Sequence, residues 1–158
     1  MMFRLALPAT LAALAAAAAE PRQPVEGTIA LTRFGPRIET TGAFLIQEGA
    51  EFVPLRVPPG KLLTIRQVTA TCTLNGLPEY HWMNFWTVRS SPDTTVHHYL
   101  TMTTASRGHT ASWVSKERVQ IPVRAGGRPV ATFQKSSAFT FSNDACIGSW
   151  SGALEDAN

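Results

Sequence analysis

The chain has 158 residues, 44% hydrophobic and only 16% charged, with a formal charge of +3. A chain of this length reads as one domain able to bury its own core. Its basic residues are scattered, which excludes a nucleic-acid stripe or an anionic-lipid patch despite an isoelectric point near 9.2.

The N-terminus reads as an export signal, residues 1–19. Arg4 supplies a basic start, and Leu5 to Ala19 form an apolar run broken only by Pro8 and Thr10. Ala17-Ala18-Ala19 are the small residues a signal peptidase requires, so cleavage is expected before Glu20. The run is shorter than the roughly 20 residues of a membrane span. It has no adjoining Cys for a lipid anchor and no Arg-Arg pair for twin-arginine export. The expected location is therefore the periplasm or the medium. The mature chain would keep 13 basic and 11 acidic residues. In an exported chain, Cys72 and Cys146 are expected to form a disulfide. A thiolate metal site would need Cys-x-x-Cys or Cys-His spacing, which is missing.

Residues 20–41 read as an N-terminal arm or edge strand, with a short strand at Thr28–Thr32 among Pro and Gly breaks. Residues 42–158 read as the β-domain. Its first strands are Gly42–Ile46 and Phe52–Val57, and Pro54 places the second at an edge. Lys61–Leu74 follows, between the turn signals Pro58-Pro59-Gly60 and Asn75-Gly76. Leu63 and Ile65 share one parity, whereas Val68, Ala70, Cys72 and Leu74 share the other. A strand alternates with period two, so the change of phase predicts a bulge near Arg66-Gln67.

Tyr80–Arg89 is the most aromatic segment. Tyr80, Trp82 and Trp86 share one parity; His81, Met83 and Phe85 share the other. A turn at Ser90–Thr94 returns the chain through Thr95–Thr103, which predicts His97 opposite Thr87. Further strands are expected at Trp113–Val123, Val130–Phe133, Ala138–Phe141 and Cys146–Leu154, with turns at Arg124–Pro129 and Asn143-Asp144. The pattern is all-β: two antiparallel sheets face to face, a jelly-roll-like β-sandwich with one disulfide. A small barrel is the alternative.

Val57-Pro58-Pro59-Gly60-Lys61-Leu62-Leu63-Thr64-Ile65 resembles the VPxGKxLxI opening of uncharacterised secreted bacterial β-sandwich proteins. The order of later pieces is similar too: His98-Tyr99-Leu100, Val114 to Ile121, and Ser151 to Leu154. The resemblance spans about Phe52–Leu154 and implies a sandwich fold and export. It brings no catalytic residue with it.

Chemistry finds little support in the residues. Gly148-Ser149-Trp150-Ser151-Gly152 puts Trp, not Ser, at the centre of a nucleophile-elbow pattern. His97 and His98 are neighbours on a strand and face opposite sides, so they cannot share a metal. His81 would lie roughly 20 Å further along the hairpin, and His109 falls on a loop. Glu48 with Glu51, and Glu155 with Asp156, do not suggest two carboxylates across a cleft. No alternating oxygen-ligand run for Ca²⁺ exists, and Gly126-Gly127 precedes a strand instead of a phosphate-binding helix. No cofactor or metal is expected.

The expected role is therefore non-catalytic: binding or assembly in the cell envelope or outside it, with a second copy or an envelope protein as partner. The alternative is a carbohydrate-binding module using Tyr80, Trp82 and Trp86 as a stacking row. A small secreted hydrolase built on His81 or His109 is the second alternative.

Overall fold

A computed structural model of the chain describes residues 22–34, 38–75, 83–88, 97–106, 110–135 and 144–157. The expected signal peptide and the expected strand Ala138–Phe141 lie outside the described residues. Within them the chain is all-β, without a helix. The strands are β1 (Gln23–Arg33), β2 (Glu39–Glu48), β3 (Glu51–Pro54), β4 (Lys61–Asn75), β5 (Met83–Val88), β6 (His97–Thr101), β7 (Thr103–Ser106), β8 (Thr110–Arg124), β9 (Val130–Lys135) and β10 (Ala145–Asp156). Hydrogen-bonded neighbours follow the order β6-β5-β9-β2-β1-β10-β4-β8-β7, and β3 pairs with β2. Every pairing is antiparallel.

β4 lies between β10 and β8 and supplies six core side chains. Gly60, with φ +72°, turns the chain into it, and the Lys61 amide donates to the Pro58 carbonyl at 3.2 Å. Leu63 and Ile65 are buried, and so are Val68, Ala70, Cys72 and Leu74, although the two sets differ in parity. The change of phase falls where the sequence places it. Ser151 and Gly152 of β10 oppose Gln67 and Ile65, leaving Arg66 as the extra residue. On the other side, Arg118 and Ile121 of β8 oppose the same two residues. The bulge thus turns both apolar halves inward, where burial stabilises each large aliphatic side chain by about 1.5–3 kcal/mol.

Cys72 and Cys146 are directly opposite in the β4–β10 register and form a disulfide with Cα atoms 4.0 Å apart. Both cysteines are fully buried. Trp150 of β10 is also buried, tilted against Phe44 at 6.0 Å between ring centroids, and its indole N–H donates to the Leu45 carbonyl at 3.1 Å. This placement requires Gly27 beneath it. A Cβ there would stand 2.0 Å from the Leu45 oxygen and 2.8 Å from the Trp150 nitrogen.

Several strands depart from the sequence reading. Residues 23–33, read as part of an arm or edge strand, form an eleven-residue strand with β10 on one side and β2 on the other. Its alternation is weak because Gly27 sits at a core-facing position. β3 ends at Pro54, and its only partner among the described residues is β2, as expected of an edge strand with a proline. The β5–β6 hairpin is shifted by one residue from expectation: His98, not His97, opposes Thr87, and His97 opposes Val88. The first half of β2 pairs β9, while its second half pairs β1 and β3. At buried Met102 the chain leaves β6, beside β5, and enters β7, beside β8. There the Thr101 amide donates to the Glu117 carboxylate.

Two outcomes follow from this packing. Replacing both Cys72 and Cys146 by Ala should lower unfolding free energy by about 4 kcal/mol, the loop-closure figure for a bridge of sequence separation 74, read from denaturant titration. Gly27→Ala should cost at least about 1–3 kcal/mol through overpacking and lower the thermal midpoint. A Gly27→Ala midpoint equal to the parent would refute the close approach.

Candidate functional site

Tyr80 and Trp82 lie outside the described residues, and Trp86 is placed by its backbone. Phe85 opposes Leu100 and Phe133, both in the core. Trp86 opposes Tyr99 and Thr132, so its register position belongs to the other parity. Tyr99 is 74% exposed, whereas Thr132 is buried. The strand therefore places Trp86 on the Tyr99 side of the β5–β6 ladder. The sequence missed Tyr99, because its exposure depends on which parity of β6 meets the core.

The residues weighed for catalysis are dispersed or lie elsewhere. His81 and His109 are outside the described residues. His98 is half-buried, its Nε2 is buried without a hydrogen-bond partner, and burial holds its pKa below the ordinary 6.5. Gly148–Gly152 runs inside β10, where the Ser149 hydroxyl bonds the Thr69 hydroxyl and Trp150 is in the core. Glu48 and Glu51 face each other at the exposed end of the β2–β3 hairpin. Glu155 pairs with Arg22 at 2.7 Å and Asp156 with Lys61 at 2.5 Å, which ties the end of β10 to its neighbours. Among the described residues, no group of three His, Cys, Asp or Glu could hold a metal ion.

One charged cluster was not anticipated. Lys135, at the end of β9, and Asp144, just before β10, form an ion pair of 2.8 Å with side-chain exposures of 1% and 2%. The second carboxylate oxygen accepts the Asn75 amide at 2.8 Å, and the Lys135 ammonium lies 5.0 Å from the Phe34 ring centroid. The sequence reads Asp144 as a local turn residue, yet its carboxylate bonds across the fold to the end of β4. The only hint was that Lys135 shares the parity of Ala131 and Phe133. At this depth the pair is shielded from any ligand, and its role is to close the ends of β9, β4 and β10 over the core.

Two of the grooves formed by described residues draw on three or more strands. A polar groove of about 400 Å³ crosses the outer side of β3, β2, β1, β10 and β4. Glu26, Thr28, Gln47, Gln67, Thr69 and Ser149 line it, together with Phe52, which is 53% exposed. These are hydroxyl and amide groups and one carboxylate beside an aromatic ring. A second groove of about 760 Å³ opens at the β4 bulge and is lined by Arg22, Thr64, Arg66, Arg118, Gln120 and Glu155. Neither was visible in the sequence, because each draws residues from strands far apart in the chain. The chain matches no family model and no curated protein.

Lys135→Met should destabilise by about 3–5 kcal/mol, because it strands a buried carboxylate. Adding Asp144→Leu should recover most of that loss in the same denaturant titration. A separate expectation concerns His98. Its folded pKa is depressed, so the unfolded chain takes up the proton first as pH falls. The His98 contribution is constant above about pH 6.5 and declines below it, and His98→Gln should flatten the fall of thermal midpoint in that range. An unchanged slope would show that His98 is as solvated in the fold as in the unfolded chain.

Proposed function

We propose that this chain is an exported, non-catalytic protein, built as a jelly-roll-like β-sandwich, that binds or assembles in the cell envelope or outside it. The disulfide is compatible with export, since such bonds persist in oxidising compartments. The sandwich arrangement is supported by β2, which changes partners along its length, and by the passage from β6 to β7 at Met102. Each would be a corner between two layers. The resemblance of Val57–Ile65 to secreted β-sandwich proteins points the same way.

The observation that carries the binding role is the Tyr99 ring, largely exposed and directly opposite Trp86. An exposed aromatic at such a position is the kind of residue that anchors protein interfaces. Of the expected row Tyr80, Trp82 and Trp86, Trp86 is the member whose register position adjoins Tyr99. The carbohydrate-binding reading is favoured by a different observation, the polar groove with Phe52 at its side. Hydroxyl and amide groups beside an aromatic ring match the polar edges and apolar face of a sugar.

Light scattering on sized fractions should show concentration-dependent association for the parent and a monomer for Tyr99→Ser. A parent that stays monomeric at millimolar concentration would remove self-association, and the glycan reading is then decided by polysaccharide affinity electrophoresis of Phe52→Ala. Intact mass after export should correspond to a chain beginning at Glu20 and lighter by two hydrogens, as the disulfide requires.

A further inference from the structure

The groove at the β4 bulge has an unusual charge balance. Arg22 is engaged by Glu155, but Arg66 and Arg118 have no carboxylate within ion-pair distance among the described residues. Both are exposed. Arg118 opposes Gln67, the residue next to Arg66, so the two guanidiniums stand on adjacent strands along one groove. Two like charges lining one groove favour an anion between them. Guanidinium forks match oxyanions in geometry and bind them bidentately.

The bulge explains why Gln67 stands beside Arg66. A regular β4 would send Arg66 outward and Gln67 to the core side. With Arg66 as the extra residue, Gln67 also faces outward, in the wall of the polar groove. Gln67 is thus the hinge between the grooves. In register across the strands, Arg118 of β8 faces Gln67 of β4, which faces Ser151 of β10, which faces Glu26 of β1. This row spans three strand spacings, roughly 14 Å. It has a cation at one end, an amide and a hydroxyl between, and a carboxylate at the other. Such polarity would orient an elongated ligand with its anionic group toward β8.

We propose that Arg66 and Arg118 bind the carboxylate of an acidic oligosaccharide that carries one terminal uronic acid, its neutral sugars running along Gln67 and Ser151 into the Phe52 groove. This rests on the carbohydrate reading above and specifies its substrate class. Binding should be salt-sensitive, because two exposed guanidiniums carry it.

The test is calorimetric titration of the full mature chain with neutral tetrasaccharides capped by one uronic acid, a glucuronic-acid-capped xylan tetramer and a galacturonic-acid-capped galactan tetramer, each paired with its carboxyl-reduced counterpart. At least one acidic tetramer should bind, its reduced form at least about tenfold more weakly, as loss of a charge-assisted contact requires. Arg66→Gln and Arg118→Gln should each weaken the acidic tetramer by about tenfold or more, while Arg128→Gln, a control of equal charge change, should not. Arg66→Lys should restore part of the loss. Thermal midpoints close to the parent show that the variants fold. Equal binding of acidic and reduced tetramers overturns the proposal and leaves the carbohydrate reading standing. Binding of none overturns both. Arginine-dependent binding to phosphatidylglycerol vesicles without any tetramer overturns the sugar assignment in favour of a phosphate ligand.

Discussion

The union of β4 with β10 is the constraint on which the molecule depends. These strands pair over twelve register positions and are bolted by a disulfide between directly opposed residues. Their pairing would still fail to bury a continuous core if both ran regularly, because the apolar halves of β4 differ in parity. The extra residue at Arg66 removes that conflict. A single slip converts two half-strands of opposite phase into one inward row, from Leu63 to Leu74.

Polar groups are handled differently at the middle of this strand pair and at one end of it. Near Gly27 a missing side chain lets an indole ring lie against backbone and satisfy its N–H on the Leu45 carbonyl. Near Asn75 a full ion pair is buried, and its carboxylate is shared between an ammonium and a backbone amide. The first arrangement depends on space and the second on charge. Removing one partner of the ion pair is the costlier lesion, because the remaining charge cannot be hydrated at that depth.

The outer side of the same strands carries the functional possibilities. Because the bulge turns Gln67 outward beside Arg66, the irregularity that completes the core also builds the junction between a polar groove and an arginine-rich one. Bulges commonly re-aim side chains in this way beside binding sites. The surface so formed has short hydroxyls on a flat floor, one exposed aromatic and a pair of guanidiniums. Its side chains come from six strands. The Tyr99 surface of β6 is separate from it in register and would serve a different kind of contact.

Local chemistry in the chain was enough to specify the all-β class, the cysteine pair, the turn at Gly60 and the slip at Arg66. Each follows from period-two alternation, from glycine's access to positive φ, or from the scarcity of thiols. Strand partners and the exact hairpin register were not legible, since one residue more or less in a turn moves every opposition, as His97 and His98 show. The length of β1 was hidden by a glycine at a core position. The buried Lys135–Asp144 pair and both grooves were decided by tertiary structure alone. They join residues from separate strands, and a one-dimensional pattern records which side of its own strand a residue occupies but not what faces it.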